Sequence, residues 1–281
     1  MSEVFDPKEL KNLYKSAHDS GGEDNGKVTI IGGSELFHGA PLLSLKVASR
    51  IVDIVFFGTP EKSVGHVAEK IKSKLFSFIW VPWEETEKYV EKSDAILIGP
   101  GFMRFRSEKT PHKDRMHICD DACRATRGVT ERLLKGYPQK KWVIDAGSLQ
   151  TMDPDWIPQG AIVTPNKKEY QIMFGEMSPE EAAKKYNCTI IVKGPTAYVA
   201  SPNKILEIKN GNPGLTKGGT GDVLAGLTVA LFAKNEAYLS ASAASYITKA
   251  AADELYKEVG TGYNADDLAG KIPEILFRLK E

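Results

Sequence analysis

Short apolar runs alternate with helix-length amphipathic segments along most of this chain. The runs cover residues 28–31, 51–57, 76–81, 95–98, 142–144, 161–163 and 188–192. Each run is almost entirely apolar, which is typical of strands that are buried on both faces. Because strands separated by helices form βαβ units, the pattern predicts an α/β fold with a mainly parallel central sheet and helices on both faces.

The pattern changes after residue 192. The segments Ala197–Ala200 and Ile205–Ile208 flank a four-residue turn and predict an antiparallel hairpin at the edge of the sheet. Residues 222–280 predict three helices, and residues 5–17 predict a polar helix near the N-terminus. The 281 residues are therefore interpreted as an N-terminal helix and loop, residues 1–26, followed by one domain, residues 27–281.

The composition excludes several classes of protein. Lys and Arg together number 37 and Asp and Glu also number 37, whereas a nucleic-acid binder would show a basic excess. The longest apolar stretch, residues 223–233, is shorter than the ~20 residues that a membrane-spanning helix needs. Acidic residues among the first fifteen argue against a secretory signal. We therefore predict a cytoplasmic protein that binds neither nucleic acid nor membranes.

The three cysteines, Cys119, Cys123 and Cys188, are an odd and sparse set. They provide no disulfide framework and suit a reducing compartment. His112 and His117 lie near the first two cysteines, but the spacing lacks the Cys-x-x-Cys pair of a zinc site. Cys119 and Cys123 are instead expected on one buried face of a helix.

A glycine-rich segment directly precedes the most apolar helix. Residues 212–222 read Asn-Pro-Gly-Leu-Thr-Lys-Gly-Gly-Thr-Gly-Asp, and residues 223–232 are apolar all round and should be buried. A buried helix must satisfy its first free N–H groups, and a glycine run lets the backbone curl those groups around an anion. Asp222 lies where this phosphate cradle meets the helix, either as a functional carboxylate or as an ordinary N-cap.

The segment 218–222, Gly-Gly-Thr-Gly-Asp, resembles the anion hole of ribokinase-like proteins. With its flanks at 212–214 and 223–226, it is similar to the ADP/ATP-dependent NAD(P)H-hydrate dehydratases. Shorter segments agree in the same order, at 32–34, 39–41, 99–101, 144–146, 164–169, 193–194 and 262–268. The resemblance runs from about residue 28 to the C-terminus and implies a ribokinase-like three-layer sandwich.

The resemblance implies a hydro-lyase that repairs NADH or NADPH hydrated at the nicotinamide ring. ADP or ATP would phosphorylate the ring hydroxyl, Mg²⁺ would be the cofactor, and elimination of phosphate would restore NAD(P)H. Asp222 would be the catalytic base, a role worth ~10²–10⁴-fold in rate. The main-chain N–H groups of Gly219, Thr220 and Gly221 would stabilise the transferred phosphoryl group.

The resemblance also implies binding residues, each of which has a plainer interpretation. Glu169 would position Mg²⁺ through water, although an Asn-x-x-Glu pair is also a common helix start. Lys193 could be an exposed edge lysine, Asp145 a second polar anchor or a turn residue, and Ala40 and Gly101 parts of tight turns. The nucleotide-binding set is Lys193, Gly194, Pro195, Thr196, Ala197, Gly219, Thr220 and Gly221, and the substrate-binding set is Ala40, Gly101, Asn166 and Asp222.

The chain departs from the family pattern in the segment 195–197, which is less acidic than in many members, and at Asn166, where many bacterial members have His.

Two other functions stay open. One is a small-molecule kinase of the same fold that acts on a vitamin precursor of the hydroxymethylpyrimidine or hydroxyethylthiazole type, and the other is a nucleotide sensor without turnover. The expected partners are hydrated NADH or NADPH, an adenine nucleotide, a separate epimerase protein and further copies of the chain in a homo-oligomer.

Overall fold

The computed structural model describes residues 3–71, 77–104 and 119–280. In this part of the chain, ten strands form one sheet in the order β1-β10-β9-β8-β7-β6-β5-β2-β3-β4. All neighbouring pairs are parallel except that β9 is antiparallel to both β8 and β10. The strands are β1 Glu3–Val4, β2 Lys27–Ile31, β3 Ile54–Gly58, β4 Ile79–Val81, β5 Ala95–Ile98, β6 Lys141–Ile144, β7 Ile162–Val163, β8 Thr189–Val192, β9 Ala197–Ala200 and β10 Ile205–Ile208.

The helices cover both faces of the sheet, so the predicted three-layer arrangement is confirmed. One core contains buried residues of α1, α2, α8, α9 and α10, and the other contains buried residues of α3 to α7. Among the described residues, none of these helices has the length and apolar character needed to cross a lipid bilayer. The helices are α1 Gly39–Ala48, α2 Lys62–Ile71, α3 Thr86–Lys92, α4 Asp121–Gly136, α5 Ala146–Thr151, α6 Lys167–Phe174, α7 Pro179–Tyr186, α8 Thr220–Phe232, α9 Ala237–Val259 and α10 Ala265–Lys280.

Strand β5 shows why apolar and polar residues do not alternate along the strands. Ala95 and Leu97 belong to the core that contains α8, whereas Ile96 and Ile98 belong to the core on the opposite face. Successive side chains of a strand point to opposite faces, so a strand with a core on each side needs apolar residues at every position.

The N-terminal segment differs from the predicted polar helix. A short 3₁₀ helix, Pro7–Asn12, replaces it, and β1 pairs in parallel with β10. Leu10 and Leu13 are buried in the core that contains α8. The hairpin β9–β10 is therefore present as predicted, but β1 forms the outer edge of the sheet. The reason is that the unpaired side of β10 offers hydrogen bonds to any extended segment, and residues 3–5 take them.

The structure also corrects the expectation for the cysteines. Cys119 and Cys123 form a disulfide, with their Cα atoms 5.3 Å apart. Cys119 precedes the N-cap of α4, Asp120, and Cys123 lies in the first turn of that helix, so the turn of the chain brings the sulfurs together. Cys188 is a buried free thiol. Residue 76 of the predicted third run, and His112 and His117, lie outside the described residues.

Candidate functional site

Helix α8 begins at the carboxyl edge of the parallel strands, where open α/β sheets bind their ligands. Gly219 precedes it with a φ of +92°, a left-handed conformation that glycine adopts readily. A Cβ atom at Gly219 would lie 2.5 Å from Leu43 Cδ1 and 2.8 Å from Ala265 Cβ. No other residue type fits there, because α1 and α10 both approach the backbone of this turn.

The first turn of α8 presents a free donor to the edge of the sheet. Thr220 uses its own groups locally, since its hydroxyl donates a 2.7 Å bond to the Leu215 carbonyl and its N–H a 3.4 Å bond to the Lys217 carbonyl. In the part of the chain that the structure describes, the N–H group of Gly221 donates to no other residue, and the N–H group of Asp222 donates only to the carboxylate of the same residue. Free N–H groups and the positive end of a helix dipole together form an anion site.

Asp222 lies in this same turn, and its side chain is half-buried. Burial, reinforced by the negative charge of Asp145, raises the pKa of its carboxyl to about 7, against the opposing ammonium group of Lys193. Ser44 donates a 2.7 Å hydrogen bond to the Asp222 carbonyl and a weaker one, at 3.5 Å, to the Ala40 carbonyl. A carboxyl with a pKa near neutrality is suited to accept a proton at physiological pH.

Lys193 follows β8 and points toward the first turn of α8. Its Nζ lies 2.8 Å from Asp145 Oδ1 and 3.9 Å from Glu169 Oε2, and a Cβ atom at Gly221 would lie 3.4 Å from it. Burial lowers the pKa of Lys193, but the charges of the surrounding carboxylates outweigh burial and raise it above its ordinary value. Thr164 donates a 2.7 Å bond to Asp145 Oδ1 and holds that carboxylate in place.

Asn166 and Glu169 form the capping box of α6. The Asn166 side chain accepts from the N–H groups of Lys168 and Glu169, and Glu169 Oε2 accepts from the Asn166 N–H at 2.8 Å. Gln150 donates a 2.9 Å bond to Glu169 Oε1. The two residues that were predicted to contact substrate and magnesium are therefore engaged in starting a helix, with Glu169 still within 3.9 Å of the Lys193 ammonium.

At this edge of the sheet the carboxyl groups outnumber the ammonium group, which favours binding of a cation. Three carboxyl groups, from Asp145, Glu169 and Asp222, surround the ammonium group of Lys193. Over residues 3–71, 77–104 and 119–280, no three acidic, histidine or cysteine side chains are close enough to bind a metal directly. Mg²⁺ retains several waters and prefers oxygen ligands, so these carboxyl groups fit a hydrated Mg²⁺ held through water.

A cavity of about 470 Å³ opens beside Lys193, between the loop that follows β8 and the helices α8 and α9. We call it the β8 cavity. Thr196 belongs to the same loop but does not line the cavity. The predicted residues that line it are Lys193, Gly194, Pro195, Ala197, Thr220 and Gly221.

Helix α9 contributes residues to the β8 cavity that the sequence analysis missed. Lys249 is 6% exposed, and its Nζ donates hydrogen bonds to the carbonyls of Pro195 at 2.5 Å and Asn210 at 2.7 Å. Burial lowers the pKa of this lysine. The sequence does hold a signal, because Lys249 is the only charged residue in the small, apolar stretch 237–252. Ser245 and Thr248 line the same wall.

Ala40 follows β2 and Gly101 follows β5, and these two strands lie on the opposite side of β6 from β8, whose loop lines the β8 cavity. Ala40 is in the first turn of α1, one turn before Ser44. Gly101 has a φ of +73°, and a Cβ atom there would lie 2.5 Å from the Phe37 carbonyl oxygen and 3.0 Å from Pro41 Cδ. The loop after β5 therefore packs tightly on the start of α1, close to the first turn of α8.

The family model described as NAD(P)H-hydrate dehydratase matches residues 28–274 of this sequence. The chain belongs to the NAD(P)H-hydrate dehydratase family. The resemblance found in the glycine-rich segment is thereby confirmed.

Individual members of the NAD(P)H-hydrate dehydratase family match nearly the whole of this chain. A bifunctional NAD(P)H-hydrate repair enzyme from Methanocaldococcus jannaschii is 36% identical over 95% of this chain and 51% of its own length. An ADP-dependent (S)-NAD(P)H-hydrate dehydratase from Cenarchaeum symbiosum is 29% identical over 92% of this chain and 91% of its own. The chain thus spans about half the length of the bifunctional relatives.

Solved structures confirm the predicted ribokinase-like fold. A ribokinase-like superfamily protein from Enterococcus faecalis matches with a TM-score of 0.82 and 19% identity, over 99% of this chain and 97% of its own. An ADP/ATP-dependent NAD(P)H-hydrate dehydratase from Bacillus subtilis, co-crystallised with ATP and Mg²⁺, matches with a TM-score of 0.75 and 20% identity, over 99% of each chain.

Proposed function

We propose that this chain dehydrates hydrated NADH or NADPH, with ADP or ATP as phosphoryl donor. The observation that carries the proposal is the position of Asp222. Its carboxyl, with a pKa of about 7, lies in the first turn of α8 beside the free N–H group of Gly221 and the Lys193 ammonium. A base beside an anion site is the arrangement that phosphoryl transfer from a nucleotide to a hydroxyl group requires.

The β8 cavity would hold the nucleotide. Its volume of about 470 Å³ falls in the range of small-molecule sites, and Lys193 and the first turn of α8 form its end nearest Asp222. The phosphates would therefore meet the Gly221 N–H group and the Lys193 ammonium. The hydrated nicotinamide ring would approach from the opposite side, past Ala40 and Gly101.

Asp222 would then accept the proton of the ring hydroxyl as its oxygen bonds to the terminal phosphorus of the nucleotide. The bond to the leaving phosphate breaks, which releases AMP from ADP or ADP from ATP. The ring nitrogen next expels inorganic phosphate from the phosphorylated carbon, and loss of a proton from the neighbouring carbon restores the dihydronicotinamide. General-base assistance of this kind is worth ~10²–10⁴-fold.

Mg²⁺ would be held through water by Glu169 and would neutralise charge on the phosphates. The name of the Cenarchaeum relative specifies (S)-NAD(P)H-hydrate. We therefore propose the (S) epimer as substrate. A separate epimerase would supply it from the other epimer, in keeping with the bifunctional repair enzymes among the longer relatives.

The test is an assay of the purified protein with hydrated NADH, Mg²⁺ and either ADP or ATP. We expect the absorbance of the dihydronicotinamide to return in step with release of inorganic phosphate, and only when a nucleotide is present. Absence of recovery with both donors and with both hydrated cofactors would contradict the proposal and favour a kinase of the same fold.

A further inference from the structure

Seven of the described side chains that line the β8 cavity carry polar groups, and five of these are engaged within the protein. Two of the five are lysines. The loop after β8 runs from Lys193, beside the first turn of α8, to Pro195, whose carbonyl accepts from Lys249 of α9. The β8 cavity therefore extends from the first turn of α8 to the middle of α9.

The other three engaged side chains belong to the segment around the glycine run. Asn212 donates to Asp253 at 3.1 Å and accepts from the Tyr263 hydroxyl at 2.8 Å. The hydroxyls of Thr216 and Thr220 each donate to a nearby main-chain carbonyl, at 2.9 and 2.7 Å. These side chains shape the β8 cavity but already have hydrogen bonds within the protein.

Ser245 and Thr248 are the two remaining polar side chains in this lining. They lie three residues apart in α9, and they are 2% and 4% exposed. Within the part of the chain that the structure describes, neither hydroxyl has a hydrogen-bond partner. A buried hydroxyl without a partner is unfavourable unless a ligand supplies one.

Other buried hydroxyls in the same pair of helices have partners. Thr228 of α8 and Ser242 of α9 each donate to the carbonyl four residues earlier, at 2.7 and 2.8 Å. A serine or threonine inside a helix commonly satisfies its hydroxyl in this way. Ser245 and Thr248 depart from this behaviour at the place where α9 lines the β8 cavity, which points to a ligand there.

A nucleotide bound in the β8 cavity would have its base beside α9. The proposed function puts the phosphates at the opposite end, against Lys193 and the Gly221 N–H group. Pro213, Leu215 and Leu224 also line the cavity and give apolar walls for a flat base. The base is the apolar part of a nucleotide and lies farthest from its phosphates, so it would reach the two hydroxyls of α9.

Several main-chain groups beside α9 are absent or engaged. Pro195 and Pro213 have no N–H group, and the Pro195 carbonyl accepts from Lys249. The Gly211 N–H group donates to Asp253 at 2.9 Å. The hydroxyls of α9 are therefore the polar groups best placed to meet the base.

We propose that Ser245 and Thr248 bind the purine base of the nucleotide, and that the protein therefore binds hypoxanthine and adenine nucleotides with similar affinity. Adenine presents an amino donor at position 6 and an acceptor at N1, whereas hypoxanthine presents an oxo acceptor and an N1–H donor. A hydroxyl can turn to serve as donor or acceptor, so it suits both bases. The inference rests on the proposed function and adds to it the range of nucleotides.

The test is a calorimetric titration of the wild-type protein with AMP, IMP and ribose 5-phosphate. Ribose 5-phosphate keeps the sugar and the phosphate of AMP but lacks the base, and its Kd is obtained by competition with AMP. We expect the Kd values for AMP and IMP to agree within about threefold. Binding is measured without turnover, so the result does not depend on the dehydration reaction.

Two conservative variants connect this binding to the hydroxyls. Thr248→Val and Ser245→Ala should each raise Kd for AMP and IMP about three- to tenfold and leave Kd for ribose 5-phosphate unchanged. Thr248→Val keeps the shape of the side chain. Its Tm without nucleotide should be no lower than that of the wild type, because the lost hydroxyl has no partner in the free protein.

Thr228→Val and Ser242→Ala are the matched controls. They remove the same atoms from buried hydroxyls that donate to carbonyls of their own helices. We expect both controls to lower Tm and to leave all three Kd values unchanged, which is the opposite of the result expected for Thr248→Val.

Three results would overturn the inference and leave the dehydration reaction intact. The first is a difference between AMP and IMP that exceeds threefold, and the second is a Kd for AMP that Thr248→Val and Ser245→Ala do not change. The third is an equal loss of affinity for AMP and ribose 5-phosphate, which would assign the hydroxyls to the sugar. Failure of AMP to bind the wild-type protein would refute the proposed function as well, whereas absent turnover with the expected Kd values would refute the proposed function alone.

Discussion

The Ser44 hydroxyl lies 2.7 Å from the main-chain carbonyl of Asp222 and donates a hydrogen bond to it across the contact between α1 and α8. The approach is allowed because Gly226 has no side chain. A Cβ atom at Gly226 would lie 2.5 Å from both the Cα and the carbonyl oxygen of Ser44. A glycine in the middle of a helix thus determines how closely α1 supports the turn that carries Asp222.

Gly226→Ala should destabilise the protein even though alanine favours a helix by about 1 kcal/mol over glycine. The added methyl group would meet the backbone of α1, and overpacking of this kind costs about 1–3 kcal/mol. Gly270→Ala in α10, where a Cβ atom meets nothing within 4 Å, is the control and should stabilise the protein. Urea denaturation of both variants is the measurement, and a stabilised Gly226→Ala would contradict the packing argument.

Asp222→Asn should reduce kcat about 10²–10⁴-fold and leave nucleotide binding nearly unchanged, because the amide keeps the shape of the carboxyl but cannot accept the proton. Steady-state kinetics and a nucleotide titration by calorimetry measure the two effects. Asp19→Asn, at an exposed site far along the chain from α8, should behave as wild type. Retained turnover in Asp222→Asn would remove the residue from the mechanism.

The pH profile of kcat/KM should fall on the acid side with an apparent pKa near 7, because only the ionised Asp222 can act as a base in the free enzyme. The charge of Asp145 raises the pKa of Asp222, so Asp145→Asn should move the acid limb to lower pH. An acid limb that stays in place in Asp145→Asn would show that another group controls the profile.

Asp222→Asn should also make the protein more stable at neutral and alkaline pH. The carboxyl pKa is about 7 in the folded state against an ordinary value of 3.8, so the folded state binds the proton more tightly. The free energy of unfolding of the wild type must therefore fall as the pH rises from about 4 to about 7.

Above pH 7 we expect the free energy of unfolding of Asp222→Asn to exceed that of the wild type by about 1–4 kcal/mol. Each kcal/mol raises Tm by roughly 2–4 °C, and the difference should vanish near pH 4. Thermal melts of both proteins across this pH range are the measurement, and a gain that does not depend on pH would contradict the assignment.

Lys249→Met should weaken nucleotide binding about tenfold with little change in kcat. The Lys249 ammonium joins the Pro195 and Asn210 carbonyls across the β8 cavity, and a charged hydrogen bond is worth about 1.5–3 kcal/mol. Lys257→Met is the control, since Lys257 is exposed on the same helix and pairs with Glu254, away from the cavity lining. An equal KM for the nucleotide in both variants would show that Lys249 does not shape the cavity.

The sequence predicts the parallel sheet, the hairpin and the glycine-rich turn well, because each depends on local pattern. The prediction of a polar helix fails at the N-terminus. Residues 3–5 instead form hydrogen bonds with the unpaired side of β10, a tertiary interaction that the local sequence does not show. The Cys119–Cys123 disulfide escaped prediction because its formation depends on where α4 begins.

The candidate site shows the same limit. Asp222 stands out because glycines crowd it in the sequence, and Asp145 follows a recognisable strand. Lys249 was missed because it comes from the middle of a helix, more than fifty residues from the loop whose carbonyl it binds. Asn166 and Glu169 are a case in which the local pattern was informative, because the capping box in the structure matches the plainer interpretation of the Asn-x-x-Glu pair as a helix start.

Helix α8 fills the centre of one face of the sheet, yet the chain reaches it only after the strands that the structure describes have been synthesised. Until those residues leave the ribosome, Leu97 of β5 and Val143 of β6 lack the cover that α8 gives them on that face. The nascent chain therefore exposes an apolar surface until α8 has been synthesised, and chaperones protect states of this kind. The same helix carries Asp222, so a chain in which α8 has not yet packed also lacks the carboxylate on which the proposed activity depends.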